Sequence, residues 1–319
     1  MTRRAALRAG AGATLAGVLG LGAAGCGSEF ADSRVTIGAG GSQGVYFALA
    51  GALADAWQRS LGLRDRPRVR VTAGSVDNLA LLARGTVDVI FSAADVADDR
   101  LTRPSPPGRE PRALARIYDD ALQVVVPASS GVTTITDLRG KRVSIGATDS
   151  GVIVMAEHLL DVAGMHPSEL KISNLGIDES AAALRAGSID AFFWSGGLPT
   201  GGVDQLSAEL PIRLVDLAPQ TAALRKQFPV YDVGTVPAAT YRSTDPVTTV
   251  FVRNFLLVPS ALPEPLAYTL TAGLFAASDR LAATNPAGRA IDTRAAIGTQ
   301  PVPLHPGAHR YYREAKAYT

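Results

Sequence analysis

A short loop occurs twice in this chain, and the repetition constrains the fold more than any other feature. The first copy is Val35-Thr36-Ile37-Gly38-Ala39-Gly40-Gly41-Ser42-Gln43-Gly44; the second is Val143-Ser144-Ile145-Gly146-Ala147-Thr148-Asp149-Ser150-Gly151. Each passes from a β-branched run through small residues into an apolar stretch with helical spacing. A strand, a small-residue loop and a helix start leave backbone N–H groups pointing at whatever lies beyond the helix. A second repeat runs beside the first. Leu82-x-x-Gly85-Thr86-Val87-Asp88-x-x-Phe91 recurs 102 residues on as Leu184-x-x-Gly187-Ser188-Ile189-Asp190-x-x-Phe193. A helix, a glycine, an acid and a strand are common punctuation in α/β chains. Two ordered matches at nearly one offset instead predict two similar lobes gripping one ligand.

The pattern between the repeats alternates strand and helix, which implies a parallel sheet. Strands are expected at Val35–Ala39, Arg68–Thr72 and Val87–Phe91, and again at Lys141–Ala147, Lys171–Asn174 and Ile189–Trp194. Helices are expected at Val45–Ser60, Ser75 to Leu82, Val152–Ala163 and Asp178–Ala186. Leu49, Leu53 and Trp57 fall on one face of the first, and Gly85, Gly164 and Gly187 stop the others. Leu122–Pro127 and Thr248–Val258 read as strands crossing between lobes. After residue 260 the chain reads as helices, ending in Arg310–Tyr318. The fold class expected is therefore α/β, with two lobes joined by hinge strands. The boundaries expected are a signal segment at 1–26, a tether at 27–34, lobe I at 35–122 plus 255–319, and lobe II at 123–254.

The 319 residues, 47% of them hydrophobic, allow a large core and two domains. Net charge is only +2, with no basic patch interleaved with aromatics, so no nucleic-acid partner is expected. The body holds no strongly apolar run of about 18 residues, so a soluble body is expected. Arg3, Arg4 and Arg8 followed by the small and apolar run Ala11–Ala24 have the layout of a secretory signal. Thr2-Arg3-Arg4 also fits a twin-arginine export signal. Cys26 is the only cysteine, which excludes an intramolecular disulfide. Ala23-Ala24-Gly25-Cys26 resembles a bacterial lipoprotein signal, with Ala23 where such signals usually carry Leu. That resemblance implies lipidation at Cys26 and an extracytoplasmic chain anchored to the outer face of the cytoplasmic membrane. An ordinary cleaved signal is the alternative.

The candidate binding residues cluster where strands end, the edge at which open α/β sheets take ligands. From the first loop they are Gly41, Ser42, Gln43, Gly44 and Tyr46. Glycines let the backbone approach a ligand, and the following helix presents a partial positive end. Ser75, Val76 and Asn78 come next, with Ser75 better placed to cap its own helix. Ser92 follows the third strand, Asp149, Ser150 and Gly151 form the second loop, and Trp194 and Ser195 close the set. The spacing is neither a dinucleotide fingerprint nor a P-loop. Neither His-Glu-x-x-His nor a pair of cysteines occurs. His305 and His309 lack a third ligand nearby, and His158 and His166 read as helix-surface or helix-end residues. No catalytic residue, metal site or cofactor is expected.

Ile37-Gly38-x-Gly40-Gly41-x-x-Gly44-Val45-Tyr46, followed by Leu49-x-Gly51-Ala52-Leu53-Ala54, resembles the opening of the TAXI family of solute-binding proteins of TRAP transporters. Gly74-Ser75-Val76-Asp77-Asn78-Leu79, Asp190-Ala191-Phe192-Phe193 and Leu198-Pro199-Thr200 fit the same pattern. So does the tail from Pro303 to Glu314. The resemblance implies a type II periplasmic-binding-protein fold and ligands such as glutamate, glutamine or small dicarboxylates. It also implies a TRAP-type membrane permease as partner, and a monomer is expected. Ligand-contacting positions would map to Ser42, Tyr46, Ser75, Asn78, Ser150 and the Trp194 region. The chain departs from the family at Ala93, where Gln is usual, at Thr148-Asp149-Ser150-Gly151, where Pro-Gly-Ser-Gly is usual, and at Trp194, where Phe or Val is usual. Asp149 would bring a negative charge to the cleft, against a diacid and in favour of an amino group.

The function expected is capture of a small carboxylate or amino acid by lobe closure, with delivery to the permease. A sensor lipoprotein feeding a signalling receptor, an enzyme on this fold and an adhesion lipoprotein are the alternatives.

Overall fold

Apolar periodicity and glycine stops generate the elements, and two long strands tie them together. The structure, a computed structural model, describes residues 29–317. The signal-like segment and Cys26 lie outside the described residues. In the first half, β1 (Thr36–Gly38), α1 (Val45–Ser60), β2 (Arg68–Arg70), α2 (Ser75–Arg84), β3 (Val89–Ala93) and α3 (Ala94–Leu101) follow in order. β4 (Pro111–Pro127) then crosses to the second half. There the chain forms β5 (Arg142–Ser144), α4 (Gly151–Val162), β6 (Lys171–Ser173), α5 (Ile177–Arg185), β7 (Ala191–Gly196), α6 (Gly201–Glu209), β8 (Ile212–Leu214), α7 (Ala218–Gln227) and β9 (Tyr231–Val236). β10 (Val247–Pro259) crosses back, and α8 (Glu264–Ala276), α9 (Ser278–Thr284), α10 (Thr293–Ala296) and α11 (Pro306–Ala317) pack on the first half.

The sheet order is β2-β1-β3-β10-β4-β7-β5-β6, with β8 added to β4 and β9 to β10. β1 lies between β2 and β3, all parallel, and β5 lies between β6 and β7 in the same way. β10 runs antiparallel to β3, and β4 runs antiparallel to β7. The fold is therefore two α/β lobes of one topology, joined by two strands, as the repeat predicts. Where β4 and β10 pass each other their register shifts between Arg253 and Phe255. Such irregularities re-aim side chains beside a site.

Several boundaries differ from the sequence reading. β4 starts eleven residues before the expected Leu122. Arg116 and Asp119 interrupt its apolar run, but they pair at 2.6 Å, so the strand carries both. Ser75 is not the N-cap of α2. Gly74 holds that position at φ 127°, ψ −150°, a conformation open essentially to glycine. This turns the Ser75 hydroxyl toward β3, where it accepts the Ala93 N–H at 3.0 Å. The expected tether is not wholly free of the body. Phe30 packs on the first-half core, and the Arg64 N–H donates to the Ala31 carbonyl at 2.9 Å.

The repeated acid has a structural role in both lobes. Asp88 accepts the Thr36 N–H at 2.8 Å, and Asp190 accepts the Arg142 N–H at 2.8 Å. Each carboxylate, at the start of the third strand of its lobe, thus satisfies the first amide of the adjacent β1 or β5. The glycines before them take φ 71° and 68°, and the hydroxyls of Thr86 and Ser188 return to the Leu81 and Ala183 carbonyls. Asp88→Ala leaves a half-buried amide unpaired. It is expected to cost about 1–2 kcal/mol, read as a lower urea midpoint at unchanged slope.

The core is split by the sheet. Trp57, fully buried on α1, packs against α8 and donates its indole N–H to the Leu270 carbonyl at 3.0 Å. A polar chain also bridges the lobes. The Tyr231 hydroxyl donates to Asp95 of α3 at 2.8 Å and meets His158 Nδ1 of α4 at 2.7 Å. His158 is not a surface residue as expected. It is half-buried and stacked on Phe228 with ring centroids 3.7 Å apart.

Candidate functional site

Four helices point their N-termini at one cavity of about 130 Å³ between the lobes. α1 and α2 enter from the first lobe, α4 and α5 from the second. None of the four is capped by an N-cap side chain, because three of the caps are glycines (Gly44, Gly74, Gly176) and the Ser150 hydroxyl makes no such bond. The starts of α1 and α4 have no acid in their first turns and bring partial positive ends to the cavity, whereas Asp77 in α2 and Asp178 and Glu179 in α5 offset theirs, Glu179 accepting the Gly176 N–H at 3.0 Å; among the described residues no Lys, Arg or His lines the cavity.

The lobes are closed on one another at the mouth. The Asp77 N–H at the start of α2 donates to the Asp149 carbonyl of the opposite lobe at 3.0 Å. The Ser42 hydroxyl and Asp178 face each other across the gap at 3.5 Å. Gly151 sits so close that a Cβ added there would lie 3.1 Å from the Ser75 hydroxyl.

Of the residues singled out from the sequence, Gly41, Gly44, Tyr46, Ser75, Ser150, Gly151, Trp194 and Ser195 line this cavity together. The others lie elsewhere. Ser42 and Gln43 are exposed at the rim. Val76 is half-buried against the core. Asn78 is fully buried, accepting the Thr72 hydroxyl at 2.8 Å and donating to the Phe91 carbonyl at 2.9 Å. It ties the strand ends together. Ser92 is fully buried and donates to the Ala93 carbonyl at 3.1 Å. Asp149 is exposed with φ 61°, its side chain outside the lining.

The carboxylate that reaches the cavity is Asp120 of β4, which the sequence reading missed. It is 5% exposed, and its Oδ1 has no partner. Burial pushes its carboxyl up to about 7, while hydrogen bonds from Asn254 and Tyr118 work the other way. Tyr118 and Tyr46 stand beside it. Tyr46 stacks on Phe91 with centroids 5.0 Å apart and donates its hydroxyl to Asn254 Oδ1. Desolvation holds both phenols well above their usual range. The Ser150 and Ser195 hydroxyls, also without partners, lie on the same lining. Trp194 forms a wall, its indole N–H fixed on Thr200 Oγ1 at 3.0 Å. The arrangement can hold a small polar molecule at both ends.

The architecture has solved counterparts. A periplasmic transporter protein is 15% identical, with 89% of this chain and 93% of that one aligned at a TM-score of 0.54. A protein solved with L-arginine bound is 17% identical over 81% of this chain and 90% of its own, at 0.51. A Listeria monocytogenes protein assigned as an L-cystine ABC transporter is 15% identical over 81% and 98%, at 0.50. At these identities the likeness establishes a periplasmic-binding-protein-like fold. The sequence relationship is carried separately, by a family match that spans both lobes and both crossing strands. Over residues 37–315 the chain matches the NMT1-like family, and it belongs to that family.

Proposed function

We propose that this chain is an extracytoplasmic solute-binding protein that captures a small carboxylate or amino acid by lobe closure. One observation carries the reading: four helix starts without an N-cap side-chain bond, two from each lobe and those of α1 and α4 free of first-turn acids, converge on one cavity with no basic side chain among the described residues that line it. Backbone amides at helix starts bind carboxylates without a counter-charged residue. Lobe I (35–122 plus 255–319) and lobe II (123–254) act as the two moving bodies, with β4 and β10 as the hinge. Ligand that bridges the lobes favours the closed form, which a membrane partner can then read. The TAXI-like motifs support a TRAP-type permease as that partner, and a lipid-modified Cys26 would hold the protein at the outer face of the membrane. The Listeria neighbour's assignment supports an ABC-type permease as a second reading.

Thermal unfolding against a panel of small acids and amino acids tests the function. A true ligand at a hundred times its Kd stabilises the folded state by about 2.7 kcal/mol. No shift with any of them at millimolar concentration overturns the proposal.

Fluorescence gives a local check. The chain has two tryptophans, and only Trp194 lines the cavity. Ligand is expected to change emission in the wild type and in Trp57→Phe, but not in Trp194→Phe. A response that survives Trp194→Phe would place the ligand elsewhere.

A further inference from the structure

The cavity holds one charged side chain, and it is of the wrong sign for a plain acid. Asp120 lies on β4 at the point where that strand passes β10, 5% exposed, with Oδ1 unpaired. Oδ1 is a buried acceptor with no donor, and such an atom costs free energy until a donor reaches it, so the site is incomplete when empty. Its surroundings supply no cation. Tyr118 is on its own strand, Tyr46 comes from α1 and Asn254 from β10. Neighbouring Asp119 is turned to Arg116, and Asp95 of α3 adds a like charge. A second set of unsatisfied groups faces the same space: the hydroxyls of Ser150, 3% exposed, and Ser195. The acid-free starts of α1 and α4 present partial positive ends, and Asp120 presents an acid. The cavity is therefore polarised.

We infer that Asp120 is the seat of a ligand ammonium group, so that the molecule held between the lobes is a zwitterion of amino-acid type. This rests on the small-acid reading above and narrows it. The carboxylate of the ligand takes the helix N-termini, and its ammonium takes Oδ1 of Asp120. A dicarboxylate would bring a like charge onto Asp120, and a monocarboxylate would leave it unpaired.

The test is calorimetric titration at pH 8 with matched pairs that differ only in the amino group: L-valine against 3-methylbutanoate, and L-glutamate against glutarate. In the wild type, at least one amino acid is expected to bind about a hundredfold tighter than its partner. Asp120→Asn is expected to lower that amino acid's affinity at least about tenfold and to strengthen binding of its des-amino partner, so that the wild-type preference collapses. The wild-type pairs decide the question even if the variant fails to fold. Equal binding within both pairs overturns the inference while the small-acid function stands. Binding of neither member of either pair overturns the inference, and the small-acid function falls with it only when the thermal panel also shows no shift.

Discussion

Gly151→Trp abolishes ligand binding and leaves the ligand-free protein folded. Gly151 opens α4 and faces α2 across the mouth, where a Cβ would already stand 3.1 Å from the Ser75 hydroxyl and 3.3 Å from its Cβ. An indole cannot be seated there with the lobes closed. The four helix starts then no longer converge, and the amides of one lobe lose the ligand held by the other. The loss is expected to exceed a thousandfold in Kd, about 4 kcal/mol. The residue occupies the first turn of a helix whose apolar face, with Met155, Leu159 and Leu160, is buried behind it. The lobe itself therefore keeps its core, and the ligand-free melting temperature should move by only a few degrees. Gly151→Ala should be milder, since the nearest atom is the hydroxyl of a side chain that can yield. Wild-type affinity in the Trp variant would show that the ligand does not need closure.

The second large effect is on the empty protein's stability. The Asp120 carboxyl rises from 3.8 to about 7 on folding because burial disfavours the charged form. A raised carboxyl means that the native state binds the proton more tightly than the unfolded chain. Its stabilising contribution is complete below about pH 4, declines as pH rises and is gone above about pH 7. The decline amounts to roughly 4 kcal/mol. Asp120→Asn lacks that slope. The buried Asp95, raised to about 6 chiefly by burial, is present in both proteins, so only its like-charge coupling to Asp120 differs between them. Denaturant unfolding from pH 4 to pH 8 should show wild-type stability falling relative to Asp120→Asn across this window. Parallel pH profiles would contradict the burial of an unpaired carboxylate.

The scaffold was legible in the sequence for physical reasons. β1 to β3 and β5 to β7 sit within a few residues of their expected places, because strand and helix periods differ and glycines stop the helices. The lobe repeat was legible because Asp88 and Asp190 perform one task, holding the first amide of β1 or β5. α7 was not, since only Leu224 of its ten residues is buried. In the site, the glycines and Tyr46 could be read because a loop between a strand and a helix has one geometry. Asp120 could not. The stretch Arg116-Ile117-Tyr118-Asp119-Asp120 reads as a surface segment, and its burial depends on β10 crossing it some 130 residues later. Asp149 drew attention as the acid beside the repeated loop. Its positive φ turns the side chain outward and gives its carbonyl to Asp77. Local sequence reports neighbours along the chain, whereas the charge in this cavity is set by a crossing of distant strands.

A crystal structure with the tightest-binding small acid or amino acid tests the central claim most directly. The account predicts the ligand carboxylate within about 2.7–3.2 Å of backbone N–H groups at helix starts from both lobes. A ligand seated outside this cavity, or gripped by one lobe alone, would contradict it.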